Sequence, residues 1–167
     1  FKFLNDFEAA SYGVLLVPEN EFVSLNGPLP DPSRPRAIMG PGTGLGNSIL
    51  FPMGKEIVVV CSEGGHTDFP TIDAETHEYF HFFCKEGGFK YISLERAFCG
   101  PSLPIMFKFF SKKYPNDPEA KEPLPASNEI TKRIAEPNPP RIYESIFQLF
   151  LKIYSAAVSN FVTHHLT

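Results

Sequence analysis

The spacing of apolar residues divides the chain into an early sheet-forming part and a later helical part. Phe7, Ala10, Val14 and Val17 recur at helical spacing up to Pro18. Asp6, just before them, offers a carboxylate that can cap the free N–H groups of a first turn. Phe1 to Leu4 is a short apolar run that reads as the end of a strand. Gly27, Pro28, Pro30, Pro32 and Pro35 predict an irregular loop. Arg36 to Met39 and Ser48 to Phe51 read as short strands, and Pro52-Met53-Gly54 as a turn. Ile57 to Cys61 is continuously apolar and rich in β-branched residues, the signature of a buried strand.

Helices dominate from there on. Ser62-Glu63-Gly64-Gly65-His66 breaks the strand, and Ala74 to Lys85 reads as a helix closed by Gly87-Gly88. Tyr91-Ile92 predicts a short strand, and Ser93 can cap a short helix beginning Leu94-Glu95-Arg96. Ser102 to Tyr114 predicts another helix, with Pro104 tolerated in its first turn. Four prolines between 115 and 126 mark a loop or insertion. Asn128 to Glu136 predicts a short amphipathic helix, ended by Pro137-Asn138-Pro139-Pro140. The last helix is expected from about Arg141 to His165, because Ile142, Ile146, Leu149, Phe150, Ile153, Ala157, Phe161 and Val162 share one stripe. No internal repeat is visible. Strands first and helices after them predict an α/β domain, a small sheet with helices packed on it.

Composition narrows the function classes. With 43% hydrophobic and 20% charged residues over 167 positions, the chain suits one folded domain and is not wholly disordered. Its net charge of -4 argues against a basic nucleic-acid footprint and against electrostatic docking to an anionic membrane. Cys61, Cys84 and Cys99 form no C-x-x-C pair, so they read as reduced thiols in a reducing compartment. No uninterrupted apolar stretch approaches the ~18 residues of a membrane span. The chain starts without Met and stops inside an expected helix, so it reads as a fragment of something longer.

Gly40-Pro41-Gly42-Thr43-Gly44-Leu45-Gly46 is the densest chemical signal. Glycines permit positive φ and close approach of a ligand, and successive N–H groups in such a turn form an anion nest. A P-loop lysine is absent and the spacing is not G-x-G-x-x-G. A phosphate would therefore sit within a β-turn-β element, with Thr43 adding a hydroxyl donor; a plain hairpin loop is the alternative. Ser62-Glu63-Gly64-Gly65-His66-Thr67-Asp68 lies at the C-terminal end of the expected buried strand, where α/β sheets bind ligands. Glu63, His66 and Asp68 suit the hydroxyls of a polyol, unless the segment is only a solvated loop. Asn5-Asp6 could place an amide and a general base in a cleft, or simply start a helix.

His77-Glu78-Tyr79-Phe80-His81 matches H-E-x-x-H, so both imidazoles could bind zinc with Glu78 as base. The G-x-x-H extension is missing, and Glu95 is the best third ligand on offer. The plainer reading is a helix surface carrying two histidines. His164-His165 is also expected at the surface. The clusters Phe80-His81-Phe82-Phe83 and Phe107-Lys108-Phe109-Phe110 are expected in the core.

Four segments occur in a telling order: Leu4-Asn5-Asp6-Phe7-Glu8-Ala9, the glycine segment 40–46, Ser62 to Phe69, and Ile92-Ser93-Leu94-Glu95-Arg96 with Gly100-Pro101-Ser102-Leu103. In this order the chain resembles the bacterial-type glucokinase family over nearly its whole length. The resemblance implies the ribonuclease-H-like (actin-like) sugar kinase fold, with two lobes around a cleft. Residues 1–35 would be a hinge strand, helix and Pro-rich loop at the cleft. Residues 36–167 would be a large lobe, incomplete at its C-terminus, with a small mixed sheet and packed helices. The small lobe would be absent. The implied reaction is ATP-dependent phosphorylation of glucose at the 6-hydroxyl with Mg²⁺, the first step of glycolysis. Asp6 would be the general base. Asn5, Asp6, Glu63, His66 and Glu95 would bind the sugar, and Gly42, Thr43 and Gly44 the nucleotide phosphates. No metal ligand is implied. Glucose and ATP are the implied partners, without nucleic acid or membrane and with a homodimer left open. The implied location is the cytoplasm or an intracellular glycolytic organelle.

The chain also departs from that family's pattern. It holds neither the Asp-x-Gly-Gly-Thr phosphate hairpin nor the Gly-Gly adenosine segment. Asn47 stands where a small apolar residue is usual, and 115–126 looks like an insertion. The cysteine-rich zinc motif of the related repressor–kinase group is lacking. Two other functions stay open: a catalytically incomplete sugar-binding or regulatory module, and a zinc peptidase through His77 and His81. The isolated chain is expected to be nearly inactive, because closure of two lobes is what excludes water. Apolar surface left exposed would favour self-association.

Overall fold

Helix α1 (Asp6–Val14) opens the computed structural model, which describes residues 3–25, 27 and 31–165, with side chains through 163. The N-cap is Asn5 and not Asp6: the Asn5 side-chain oxygen accepts from the N–H groups of Phe7 (2.8 Å) and Glu8 (3.3 Å). Asn and Asp cap equally well, so sequence could not rank two adjacent candidates. Phe3 and Leu4 are irregular and exposed, and the rest of the expected strand end, Phe1 and Lys2, lies outside the described residues. So does Pro28 to Pro30 of the expected loop, as do the side chains of His164 and His165.

The packed face of α1 turns about Ser11, while Ala10 and Val17 are exposed and the helix stops at Val14. Ser11 is fully buried, and its hydroxyl donates to the Phe7 carbonyl (2.7 Å) and pairs with the Ser48 hydroxyl. A buried hydroxyl with two partners is satisfied. A reading that counts apolar positions does not register it.

Strands β1 (Arg36–Pro41), β2 (Leu45–Met53) and β3 (Glu56–Ser62) form one sheet in the order β1-β2-β3. Both pairings are antiparallel, so the expected mixed sheet is antiparallel among the described residues. β2 starts at Leu45, which shortens the glycine loop to Gly42-Thr43-Gly44. The register sets Gly40 opposite Gly46 and Asn47 opposite Ser62. β3 is not the expected buried strand. It lies at the sheet edge, with Val58 and Val60 38% and 47% exposed. A continuous apolar run has the same appearance whether or not the chain supplies its cover.

Helix α2 (Ala74–Gly87) begins with a reciprocal capping box between Asp73 and Thr76 and ends at Gly88, whose φ of 68° is the left-handed value a C-cap glycine supplies. α3 (Leu94–Phe98) is capped by Ser93. Tyr91-Ile92 forms no strand; a single bridge joins Asp68 to Ser93, and the Leu94 N–H donates to the Thr67 carbonyl (2.8 Å). These bonds lash the 62–69 segment to the start of α3. α4 (Leu103–Lys113) carries Pro104 in its first turn, and residues 115–126 hold one short 3-10 turn, Pro118–Lys121. α5 (Ser127–Ile134) and α6 (Arg141–His165) complete the fold.

The core sits among α2, α3, α4 and α6. Ile142, Ile146, Leu149, Ile153, Ala157 and Phe161 form the buried stripe of α6, whereas Val162 is largely exposed. By length and hydropathy α6 could cross a membrane. Here its stripe packs against the core, and Lys152 at its centre pairs with Asp73 (2.7 Å) and Glu75 (3.0 Å). Phe83, Phe107 and Phe110 are buried as expected. Tyr79 is fully buried, and its hydroxyl donates to the Ala97 carbonyl at 2.7 Å. Truncating one of the α6 core residues, such as Leu149→Ala, falls in the class that costs about 2–5 kcal/mol.

The Asp73 contacts make stability depend on acid. Hydrogen bonds from Lys152 and the Thr76 N–H hold the Asp73 carboxyl down to about 2. An unfolded Asp titrates near 3.9, so this stabilisation is present above about pH 4 and lost as pH falls toward 2. Asp73→Asn keeps a cap and removes the charge. The expected result by urea denaturation is a loss of about 0.5–1 kcal/mol at neutral pH for this partly exposed pair. The difference from wild type should fade as pH falls from about 4 to 2; an undiminished difference at low pH would contradict this role.

Candidate functional site

Two turns and a helix start meet at one end of the sheet. β1 ends and β2 begins around Gly42-Thr43-Gly44, and antiparallel β3 delivers Ser62 and Glu63 to the same end. The start of α1 and Glu95 of α3 close the sides. The result is a cleft of about 520 Å³ lined by Asn5, Asp6, the 40–47 segment, Ser62, Glu63 and Glu95. The rule for ligand sites at parallel-strand ends does not apply to this sheet. The site forms because the β1–β2 hairpin turn, the end of β3 and a helix start coincide.

Seven of the expected site residues therefore share one wall-to-wall space: Asn5, Asp6, Gly42, Thr43, Gly44, Glu63 and Glu95. His66 stands at the rim, with Nε2 3.5 Å from Glu63 Oε2 and Nδ1 3.8 Å from Glu95 Oε1. Asp68 is not in the cleft; it lines a separate pocket of about 100 Å³ toward Asn160 on α6. Glu63 is mostly in solvent, its side chain 84% exposed, while that of Glu95 is 30% exposed.

Glu95 organises the glycine loop. Its Oε2 accepts the Leu45 N–H at 2.9 Å, and a Cβ at Gly44 would run into the same carboxylate. Cβ atoms at Gly40 and Gly46 would meet the Phe7 ring. None of the glycines in 40–46 has positive φ, contrary to the expectation for this loop. Gly40, Gly44 and Gly46 are glycines because neighbours press on the backbone, whereas a Cβ at Gly42 would meet only the Gly44 carbonyl at 3.9 Å. The Gly42 N–H donates to the Gly44 carbonyl (2.7 Å), and the Gly42 carbonyl accepts from the Gly100 N–H (2.9 Å). The N–H groups of Thr43 and Gly44 have no partner among the described residues, and both residues line the cleft.

Asn47 and Phe7 are the site residues that sequence reasoning undervalued. Asn47 is buried, and with its amide oxygen toward Gly65 the Gly65 N–H donates to it at 2.9 Å while its nitrogen donates to the Gly46 carbonyl at 3.1 Å. It thus ties the glycine strand to the 62–66 turn. Its polar character at a position usually small and apolar was the available signal.

The thiols are not activated. Partial burial, then the carboxylates of Glu8, Glu63 and Asp6, push the Cys61 thiol up, and burial with Glu95 nearby pushes Cys99 to about 12. Cys61, Cys84 and Cys99 are all free. His77 and His81 share one face of α2 as expected, but among the described residues no third His, Cys, Asp or Glu joins them. Glu95, the expected third ligand, is engaged with Leu45 instead. The zinc peptidase reading lacks its third ligand.

A family model described as Glucokinase matches residues 1–167. The chain belongs to the glucokinase family. It is 40% identical over 109 residues to a glucokinase of Marinobacter nauticus, covering 65% of this chain and 33% of that one. It is 27% identical over 173 residues to a glucokinase of Nostoc sp., covering 94% of this chain and 50% of that one. Among solved structures, glucokinase from an Antarctic psychrotroph superposes with a TM-score of 0.78 at 22% identity, covering 97% of this chain and 48% of that one. Glucokinase from Balamuthia mandrillaris in complex with glucose also gives 0.78, at 18% identity, covering 95% and 46%. The fold is therefore the sugar-kinase fold that the motif order implied. The chain spans one third to one half of the length of these relatives.

The Asn47 link is testable without activity. Asn47→Val should raise the exchange rate of the Gly65 amide by about tenfold or more, because it loses its acceptor. Asn47→Asp, which keeps an acceptor, should leave it protected. Equal exchange in wild type and Asn47→Val, read by hydrogen exchange, would show that the link does not hold the turn.

Proposed function

We propose that the glucokinase to which this chain belongs phosphorylates glucose at the 6-hydroxyl with ATP and Mg²⁺ in the cytoplasm. One observation carries this reading: a single cleft gathers a carboxylate at a helix start, a glycine hairpin whose Thr43 and Gly44 N–H groups have no partner among the described residues, and Glu63 and Glu95, with His66 at the rim. The glucose-bound relative supports the choice of sugar. Residues 3–35 would form the hinge side of the cleft and 36–165 most of a large lobe.

In this reading Asp6 accepts the proton of the 6-hydroxyl as that oxygen bonds to the γ-phosphorus and the bond to ADP breaks. Asp6 is exposed at the cleft, and one of its oxygens accepts the Phe7 N–H at 2.8 Å, a donor it shares with Asn5. Asn5, Glu63, His66 and Glu95 take the remaining hydroxyls. Glu95 can do so with Oε1 while Oε2 stays on Leu45. A site that pairs each hydroxyl rejects sugars that lack one, because its polar groups would go unpaired. The Thr43 and Gly44 N–H groups with the Thr43 hydroxyl suit phosphate oxygens. No cluster of cation ligands stands among the described residues. Mg²⁺ fits as an ion held mainly by the donor's phosphates and water, where it would neutralise phosphate charge.

Asp6→Asn separates chemistry from binding. In the full-length protein, kcat should fall by about 10²–10⁴, the usual contribution of a positioned base. Glucose affinity by calorimetry should change little. Unchanged turnover would remove Asp6 from its role, and turnover absent in wild type as well would favour a sugar-binding module.

A further inference from the structure

The two histidines left over from the H-E-x-x-H segment form a site of a different kind. His77 and His81 lie one turn apart on the exposed face of α2, with their Nε2 atoms 3.1 Å apart and ring planes at 85°. Metal–imidazole bonds are about 2.0–2.1 Å. Two such bonds across a 3.1 Å gap enclose an angle of about 95–102° at the metal. That lies between the ~90° of square or octahedral coordination and the ~109° of a tetrahedron. The spacing is therefore the bite of a chelating pair, already set by the helix.

We propose that His77 and His81 bind one divalent transition-metal ion, with water in its remaining positions. This inference stands apart from the kinase reading, and it differs from a peptidase centre. Such a centre needs a third protein ligand, and among the described residues none joins this pair, while Glu78, the base the motif would supply, lies 3.9 Å from the Lys113 ammonium. Binding requires both rings in the tautomer that carries its proton on Nδ1, so that both Nε2 lone pairs face the ion. Imidazole nitrogen selects Cu²⁺, Ni²⁺ and Zn²⁺, with Cu²⁺ tightest, over the oxygen-seeking Mg²⁺ and Ca²⁺. The ion would clamp one turn of the helix whose Glu75 and Glu86 pair with Lys113 and Lys112 of α4. It would stabilise the fold by mass action.

The test titrates the protein with Cu²⁺, Ni²⁺, Zn²⁺ and Mg²⁺ separately, reading calorimetry, melting temperature and, for Cu²⁺, the electron paramagnetic resonance spectrum. One Cu²⁺ per chain with two equatorial nitrogens is expected. With free ion about tenfold above Kd, Tm should rise by about 3–6 °C. His77→Gln and His81→Gln, both surface changes to a residue that favours helix, should each weaken binding by about tenfold or more. The double variant His164→Gln, His165→Gln should leave this site unchanged, and Mg²⁺ should not compete. The proposal is overturned if His77→Gln binds Cu²⁺ as wild type does, or if the His164/His165 variant alone abolishes the two-nitrogen signal.

Discussion

The Glu95 carboxylate accepts the Leu45 N–H and occupies the space where any side chain at Gly44 would have to stand. That contact joins α3 to the tip of the β1–β2 hairpin, and several other features follow from it. Gly44 must be glycine. The Gly42 carbonyl comes within reach of Gly100, just beyond α3. His66 lies between Glu95 and Glu63. A carboxylate held by a backbone donor and partly shielded from water keeps a defined orientation, which Glu63, mostly in solvent, does not share. One side chain thus spans the hairpin that suits phosphate and the turn that suits sugar hydroxyls.

A second layer of constraint lies beneath. Phe7 presses on Gly40 and Gly46, and Ser11 one turn later reaches Ser48. These contacts dock the start of α1, and with it Asn5 and Asp6, onto the sheet at the hairpin's base. Asn47 fastens the opposite side, linking Gly46 to Gly65. Gly40, Gly44 and Gly46 are therefore spaces for specific neighbours, and their φ values show no need for left-handed backbone.

Much of this was legible in the residues. The bounds of α6 follow from Pro139-Pro140 and one apolar stripe, and Gly88 ends α2 where a C-cap glycine belongs. The order of four segments carried the family. What the sequence did not show has physical reasons. Asn5 and Asp6 are interchangeable as caps until the backbone is known. The burial of Ser11 depends on a hydroxyl partner 37 positions away. The β-branched run of β3 looks buried, yet the described residues leave Val58 and Val60 exposed at an edge. Asp68 shares a turn with Glu63 and His66 but faces α6, because its bridge to Ser93 turns it away from the cleft.

We propose that sugar and phosphate loop share the Glu95 carboxylate within one cleft. A crystal structure of the full-length protein with glucose tests it most directly. The sugar is expected between Asp6 and Glu95, with its 6-hydroxyl on Asp6, a ring hydroxyl on Glu95 Oε1, and the Leu45 N–H still on Oε2. Glucose bound away from Asp6 and Glu95, or a Glu95 side chain that leaves Leu45 without collapse of the hairpin, would contradict it.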